Sequence, residues 1–175
     1  MDTAIDPFGI GAVVGRIRYH RLAAGTLVGT FVLMLLGAYT SAIGAGLSCP
    51  DWPMCYGTLV PFFHPEIITN SPYSALQIFA EWAHRGLAMI VGLLIVATAL
   101  CGWTRADRRL VRWSAATAVL LLPLQILLGG LTVTAALQPI IVTAHLATAT
   151  LILLALTTTT IGSWPQHRQT TSRTD

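Results

Sequence analysis

The chain has 175 residues, of which 54% are hydrophobic and only 10% are charged, and its formal net charge is +3. Soluble domains carry about 25% charged residues. The composition therefore excludes an ordinary soluble domain, and it also excludes a disordered, collagen-like or disulfide-rich secreted chain. A membrane-spanning helix needs about 20 apolar residues, so the chain has enough apolar residues for four such helices.

Three long stretches without Asp, Glu, Lys or Arg locate the predicted helices. These stretches are residues 22–50, 86–104 and 113–167. The last is long enough for two helices, and Gln138-Pro139 is the natural break because proline starts helices well and interrupts them badly. The predicted spans are residues 22–43, 76–103, 113–136 and 140–161, with an outer loop over residues 44–75. Residues 1–175 are therefore predicted to form a single all-α membrane domain, a bundle of four transmembrane helices.

The arginines predict the orientation of the bundle. All basic residues are arginines, and nine of the 10 fall on one side of the spans. These nine are Arg16, Arg18, Arg21, Arg105, Arg108, Arg109, Arg112, Arg168 and Arg173. By the positive-inside rule we expect a multi-pass protein of the cell membrane with both termini in the cytoplasm, and Arg85 is the one exception. Asp2 and Asp6 precede the first apolar run, so we expect this run to be retained as a helix and not cleaved as a signal peptide.

The outer loop contains two cysteines, Cys49 and Cys55, in a proline-rich segment. Outside the membrane, where conditions are oxidising, such a pair can close a small disulfide ring. The ring is either a structural staple or a redox-active pair, and the sequence leaves both open. A zinc site is disfavoured, since two cysteines need two further ligands and only His64 is near. Cys101 lies alone near the inner end of the second helix and is expected to be a small buried residue.

Two of the five histidines, His84 and His145, fall inside predicted helices. An ionisable group in a membrane helix is costly and indicates a function. At 1.5 Å per residue the two lie roughly 12 Å and 9 Å below the outer helix ends. Their helices run in parallel, so both imidazoles can face a flat metal macrocycle, and haem held by histidines on opposite faces fits this layout. The alternative is that each histidine separately hydrogen-bonds a neighbouring helix.

The neighbours of these histidines add to the pattern. Glu81 lies three residues before His84, on nearly the same helix face. Arg85 is a candidate cofactor-binding residue, because a buried arginine is a natural partner for a haem propionate. The competing interpretation is that Arg85 pairs with Glu81 or extends to the membrane interface. On the third helix, Gly129 and Gly130 remove side-chain bulk, which lets a helix or a large planar ligand approach.

Four segments, in this order, resemble the haem A synthase family. Residues 37–55, GAYTSAIGAGLSCPDWPMC, resemble the end of its first helix and its first outer loop. Residues 81–85, EWAHR, resemble its Glu-x-x-His-Arg motif on the second helix, and residues 125–133 resemble its third helix. His145 falls where the family has its second histidine. The resemblance covers most of the chain.

This resemblance implies an activity. The family oxidises a methyl group of haem O to the formyl group of haem A for terminal oxidases, through successive hydroxylations with oxygen from water. Carried across, His84 and His145 would be the axial ligands of a haem b iron. Glu81 would be a catalytic carboxylate that acts as an acid–base group or stabilises positive charge at the methyl carbon. Cys49 and Cys55 match the cysteine pair of some family members.

The chain is shorter than the members it resembles. Typical members have eight helices in two halves, each with its own histidine pair, whereas this chain has one half. It resembles the half associated with the substrate, because it keeps the loop cysteines and the Glu-x-x-His motif. We therefore expect a homodimer or higher self-association in membrane lipid, with haem O as the substrate. Haem O synthase is a further candidate partner, and no nucleic-acid partner is expected.

Two other functions fit parts of the pattern. A membrane cytochrome that binds haem b, or a haem-handling oxidase assembly factor, would use the histidine pair without the oxidation. Glu81 and the loop motif favour the enzyme over these. A quinone-linked thiol oxidase also combines four helices with external cysteines, but it generally needs a second cysteine pair, and Cys101 is on the wrong side for that role.

Overall fold

A computed structural model describes residues 10–106 and 108–164. Within these two ranges the chain forms five α-helices and one 3₁₀ turn, with no β-strand. The elements are α1 Ile10–Ala42, the 3₁₀ turn Pro61–Phe63, α2 Pro65–Asn70, α3 Ala75–Arg105, α4 Arg109–Thr134 and α5 Pro139–Gly162. Four stretches are long and apolar enough to cross a membrane, namely Arg18–Ala42, Ala75–Thr104, Arg109–Thr134 and Pro139–Gly162. The prediction of an all-α bundle with four spans is confirmed.

Each of the four long helices begins earlier than its predicted span. α1 begins at Ile10 and not at residue 22, and α4 begins at Arg109 and not at residue 113. The charge gaps mark where the apolar residues begin. A helix can continue beyond that point into water, because its backbone hydrogen bonds close within the segment whatever the side chains are. The outer loop also contains α2 and the 3₁₀ turn, which the sequence analysis did not resolve.

The four apolar spans make the chain a multi-pass membrane protein. Its orientation in the membrane stays a prediction. Several of the residues behind that prediction lie outside the described part, either entirely or by their side chains. Arg168, Arg173, Asp2 and Asp6 are outside entirely, and the side chains of Arg16 and Arg105 are not described.

Local sequence fixes where the two histidine-bearing helices begin. Ser74 caps α3, since its Oγ accepts a hydrogen bond from the backbone N–H of Gln77 while Gln77 Oε1 accepts one from the backbone N–H of Ser74. α5 begins at Pro139, whose fixed φ suits the first helical position. A tight turn precedes it, with φ of 49° at Ala136 and 58° at Leu137, and reverses the chain between α4 and α5.

The four long helices pack in a ring, in the order α1, α3, α4 and α5 around the bundle. α1 packs on α3 and α4 packs on α5, and contacts of α1 with α5 and of α3 with α4 close the ring. Short turns join α3 to α4 and α4 to α5, so both pairs are antiparallel. It follows that α3 and α5 lie at diagonally opposite corners of the ring and run in the same direction.

Apolar and hydroxyl contacts hold the interior together. The central cluster consists of Val91, Ile95, Ala118, Ile152 and Leu156. Two hydroxyl pairs also join helices, Thr26 with Thr98 and Ser114 with Thr159, each with 2.8 Å between the oxygens. Many large apolar side chains point outward, as expected for a bundle whose surface faces lipid. Packing inside the bundle, and not the removal of apolar surface from water, therefore distinguishes an interior residue from a surface one.

This packing predicts a difference between two leucines of α5. Leu156 is 0% exposed in the central cluster, whereas Leu154 is 58% exposed. Leu156→Ala should lower the free energy of unfolding by about 2 kcal/mol, at the low end for such a change because lipid solvates the side chain in either state. Leu154→Ala is the matched control and should change it little. Unfolding by a denaturing detergent in micelles measures both, and equal losses would contradict the assignment of the interior.

Candidate functional site

The two membrane histidines lie on diagonally opposite helices of the bundle. His84 is the tenth residue of α3 and His145 is the seventh of α5, so they lie about 14 Å and about 9 Å from the starts of their helices. α3 and α5 run in parallel at opposite corners, which puts both imidazoles at similar depth on the inner side of the ring of helices.

A glycine of the preceding long helix lies against each imidazole. A Cβ built on Gly37 of α1 would lie 2.9 Å from Cε1 of His84, which is too close. A Cβ built on Gly129 of α4 would lie 3.2 Å from Cε1 of His145. A helix or a large planar ligand was expected to approach Gly129, and the group that lies against it is the imidazole of His145. The site therefore repeats one arrangement twice, with a glycine behind each histidine.

Several polar atoms between these helices have no hydrogen-bond partner. They are Nδ1 of His84, Nδ1 of His145 and Oε1 of Gln125, all buried and unpaired within the described part of the chain. Gln125 Nε2 lies 3.4 Å from Nε2 of His145. A buried polar atom without a partner costs free energy, so a ligand that used these atoms would be stabilised. Each histidine thus keeps a ring nitrogen that the protein does not engage.

These residues fit a haem better than a metal ion held by side chains alone. A bare ion needs three or more close ligands, and the described residues contain no such group of His, Cys, Asp and Glu. A haem brings four nitrogens of its own and needs only two axial ligands. The two opposed imidazoles match that requirement. The ligand assignment of His84 and His145 nevertheless stays a prediction, since it rests on this fit.

Glu81 and Arg85 form an ion pair one turn apart on α3. Arg85 Nε donates to Oε1 of Glu81 at 2.8 Å, and the two side chains are 14% and 8% exposed. The pairing is the competing interpretation that the sequence analysis left open. This is the one described hydrogen bond of the carboxylate, so its second oxygen has no described partner. A buried charge is tolerable only when it is paired and hydrogen-bonded, which both members of this pair are.

Three further N–H groups of Arg85 point into the outer loop. Nη2 donates to the carbonyl of Cys49 at 2.8 Å, and Nη1 donates to the carbonyls of Asp51 and Met54. With the bond to Glu81, four of its five N–H groups have a partner in the described part of the chain. The fifth, on Nη2, has no partner among the described residues, and the contact with a haem propionate stays a prediction.

The cysteines of the outer loop form the predicted disulfide. Cys49 and Cys55 are joined, and both are buried. The carboxylate of Asp51 accepts hydrogen bonds from the backbone N–H groups of Tyr56 at 2.6 Å and Gly57 at 2.8 Å, which fixes the turn that follows. We call residues 49–55 the disulfide ring.

The outer loop covers the end of the bundle above the histidines. Ser48 Oγ donates to the carbonyl of Gln77 at 3.0 Å, and Gln77 Nε2 donates to the carbonyl of Ile43 at 2.9 Å. On the opposite side, the indole of Trp52 lies on Gly130 of α4, where a Cβ would come within 3.3 Å of it. The loop is therefore attached both to the α1–α3 pair and to α4.

Sequence reasoning missed three of these contacts. The roles of Gly37, Trp52 and Gln125 depend on which residues of other helices lie opposite, and one sequence does not contain that information. The sequence contained one signal for Gly37, namely its position. Gly37 lies near the outer end of α1, as Gly129 lies near the outer end of α4. The loop carbonyls that bind Arg85 had no signal, because every residue has a carbonyl.

Known proteins share this pattern of sequence. The cytochrome oxidase assembly protein family (COX15-CtaA) matches residues 20–175. The protohaem IX farnesyltransferase 1 of Natronomonas pharaonis is 36% identical over 116 residues, which cover 66% of this chain and 22% of that protein. The haem A synthase of Shewanella oneidensis is 37% identical over 134 residues, covering 69% of this chain and 38% of that protein. The haem A synthase of Alkalihalophilus pseudofirmus is 28% identical over 148 residues, covering 83% and 46%. No solved structure matches the chain.

These matches agree with the resemblance found in the sequence. The chain spans less than half the length of each of these relatives, between 22% and 46%. The family match, in contrast, includes all of α3, α4 and α5 and the outer loop, which together carry both histidines, the ion pair and the disulfide ring. The chain belongs to the cytochrome oxidase assembly protein family.

Proposed function

We propose that this chain is a membrane oxidoreductase of the haem A synthase type, which binds haem b and oxidises the methyl group of haem O to the formyl group of haem A. One observation carries the proposal. His84 and His145 lie at similar depth on parallel, diagonally opposite helices, and each has a buried ring nitrogen without a described partner. The haem A synthases among the relatives support it.

The histidines would hold the haem, and the glycines behind them would set its place. His84 and His145 would hold the haem through its iron. When bound, the haem would supply one-electron redox chemistry at its iron. Gly37 and Gly129 allow each imidazole to lie close to the neighbouring helix. The outer loop would keep water away from that centre.

Glu81 would act on the methyl carbon of the substrate. It is 6% exposed, and only one of its oxygens has a described hydrogen bond. The free oxygen can stabilise positive charge that develops at the carbon, or take up a proton released there. Overall, conversion of a methyl to a formyl group consumes one water and releases four protons and four electrons. The chain therefore needs an external electron acceptor to complete the reaction.

The histidine pair bears on assembly. The described part of the chain has one pair of membrane histidines on opposite helices, and a homodimer, or higher self-association, would bring two such pairs together. The farnesyltransferases among the relatives support haem O synthase as a partner, because the product of such an enzyme would be the substrate here. We place the protein in the cell membrane, with both termini in the cytoplasm, on the distribution of its arginines.

One observation favours a second function. Glu81 is already bonded to Arg85, and an ion pair of this kind has a structural use without any chemistry. A haem b-binding cytochrome, or a haem-handling assembly factor, would need the two histidines and not the carboxylate.

Product analysis separates the two functions. The chain is expressed with a haem O source, and the extracted haems are analysed by mass. We expect haem A, which differs from haem O by the formyl group. Bound haem b without any haem A would support the cytochrome or the assembly factor. The same preparation gives the oligomeric state, and an active monomer with a single haem site would contradict the dimer.

The ligand assignment predicts the effect of replacing either histidine. His84→Ala and His145→Ala should each abolish the low-spin absorption spectrum of bound haem, since a haem with one axial imidazole is no longer held from both faces. His64→Ala is the control, because that side chain is 50% exposed in the outer loop, and it should leave the spectrum unchanged. If both variants keep the low-spin spectrum, the two histidines are not the ligands.

The role of Glu81 predicts a loss of turnover without a loss of haem. Glu81→Gln keeps an oxygen that can accept from Arg85 but removes the charge, so haem O conversion should fall on the order of a hundredfold or more. The haem spectrum should not change. Glu66→Gln is the matched control, on a side chain that is 65% exposed. Full activity of Glu81→Gln would show that the carboxylate has no chemical role.

A further inference from the structure

We propose that Arg85 is a positioning residue that connects the disulfide ring to Glu81, so that closure of the ring sets the orientation of the Glu81 carboxylate. The link itself is argued from contacts alone. Its consequence for turnover rests on the proposed function, in which Glu81 acts on the substrate. Under this proposal the main partners of Arg85 are groups of the protein, and the disulfide contributes to the site without touching the substrate.

The three loop acceptors of Arg85 all belong to the disulfide ring. The carbonyls of Cys49, Asp51 and Met54 converge on the two terminal nitrogens of one guanidinium. The guanidinium is planar, and its N–H groups form a rigid fork. Three fixed acceptors therefore determine the plane in which the group lies. An arginine that only neutralised a carboxylate would need none of them.

Closure of the ring is what keeps these acceptors in place. The Cys49–Cys55 bond joins the first and last residues of the segment that carries the three carbonyls. Without the bond, the backbone of this segment regains conformations that the crosslink excludes. The carbonyls would then no longer converge, and the guanidinium would lose the contacts that define its plane.

The orientation of the guanidinium reaches Glu81 directly. The bond from Arg85 Nε to Glu81 Oε1 is 2.8 Å long, and Glu81 is 6% exposed, so water cannot easily replace it. In such a setting a charge-assisted hydrogen bond is strong and directional. When the guanidinium turns, the carboxylate oxygen that it holds must turn with it. The outer loop is thereby coupled to a side chain three residues from His84.

The chain has only two glutamates, Glu66 and Glu81, which makes the link directly measurable. Glutamate labelled with ¹³C at its side-chain carboxyl carbon gives one resonance from each of the two residues. The spectrum is recorded by NMR on the whole chain in micelles, without haem. Glu66→Gln assigns them. We expect the Glu81 resonance to shift in Cys49→Ala/Cys55→Ala and in Arg85→Gln, and the Glu66 resonance to stay in place.

Combining the replacements tests whether the effect of the disulfide reaches Glu81 through Arg85. In an Arg85→Gln background, replacing both cysteines should produce no further shift of the Glu81 resonance, because the connection is already broken. Ser48→Ala is the matched control: it removes the bond from Ser48 to the carbonyl of Gln77 and leaves every acceptor of Arg85. It should not move the Glu81 resonance.

A second measurement uses the unmodified chain, in case a variant folds poorly. Reduction of the disulfide by a small phosphine should shift the Glu81 resonance, and reoxidation should restore it. The proposal is overturned if the Glu81 resonance ignores both reduction and cysteine replacement. It is equally overturned if Ser48→Ala shifts the resonance as much, since the effect would then be a general loosening of the loop.

Turnover gives the functional half of the test. Cys49→Ala/Cys55→Ala and Arg85→Gln should each lower kcat for haem O by about tenfold or more, the scale expected for a misplaced reacting group. Their combination should be no worse than Arg85→Gln alone. Haem binding should persist in all of them. Additive losses of kcat would overturn the coupling. An inactive wild-type chain would contradict the proposed function, and the NMR measurement alone would then decide whether the disulfide ring is connected to Glu81.

Discussion

A charge inside a bundle that faces lipid must be bonded to other groups of the same protein, since no water is there to solvate it. The pair formed by Glu81 and Arg85 meets this constraint with four described hydrogen bonds from the arginine, one to the carboxylate and three to backbone carbonyls. The need for those carbonyls explains why a loop segment lies folded over this end of the bundle. The disulfide closes the same segment.

The same constraint separates the two kinds of ionisable residue in the site. Arg85 and Glu81 are paired with each other, whereas each histidine keeps a buried nitrogen without a described partner. A buried polar atom without a partner calls for an explanation, and a ligand would supply one. The proposed roles, an arginine that positions and histidines that bind, rest on this difference.

Much of the architecture could be predicted because charge is scarce. Stretches without charge located four helices, and helix geometry put His84 and His145 at similar depth on parallel helices. The disulfide followed from two cysteines in one short loop. What could not be predicted depends on which helices are neighbours. The contact of Gly37 with His84 requires α1 to pack on α3, and the contact of Trp52 with Gly130 requires the loop to cross to α4. From the sequence, Arg85 had three candidate partners: a haem propionate, Glu81 and the membrane interface. Its bonds to the loop carbonyls depend on how the outer loop folds.

The attachment of the outer loop to both sides of the bundle has a consequence for the path of a ligand. With Ser48 bonded to α3 and Trp52 seated on α4, the end of the bundle nearest the histidines is capped. A large planar molecule would then reach the imidazoles sideways, by parting two helices from within the bilayer. For a substrate that dissolves in lipid, the concentration that governs loading would be the one in the membrane. Exchange between two such proteins would then require only diffusion in the plane of the membrane, with no passage through water.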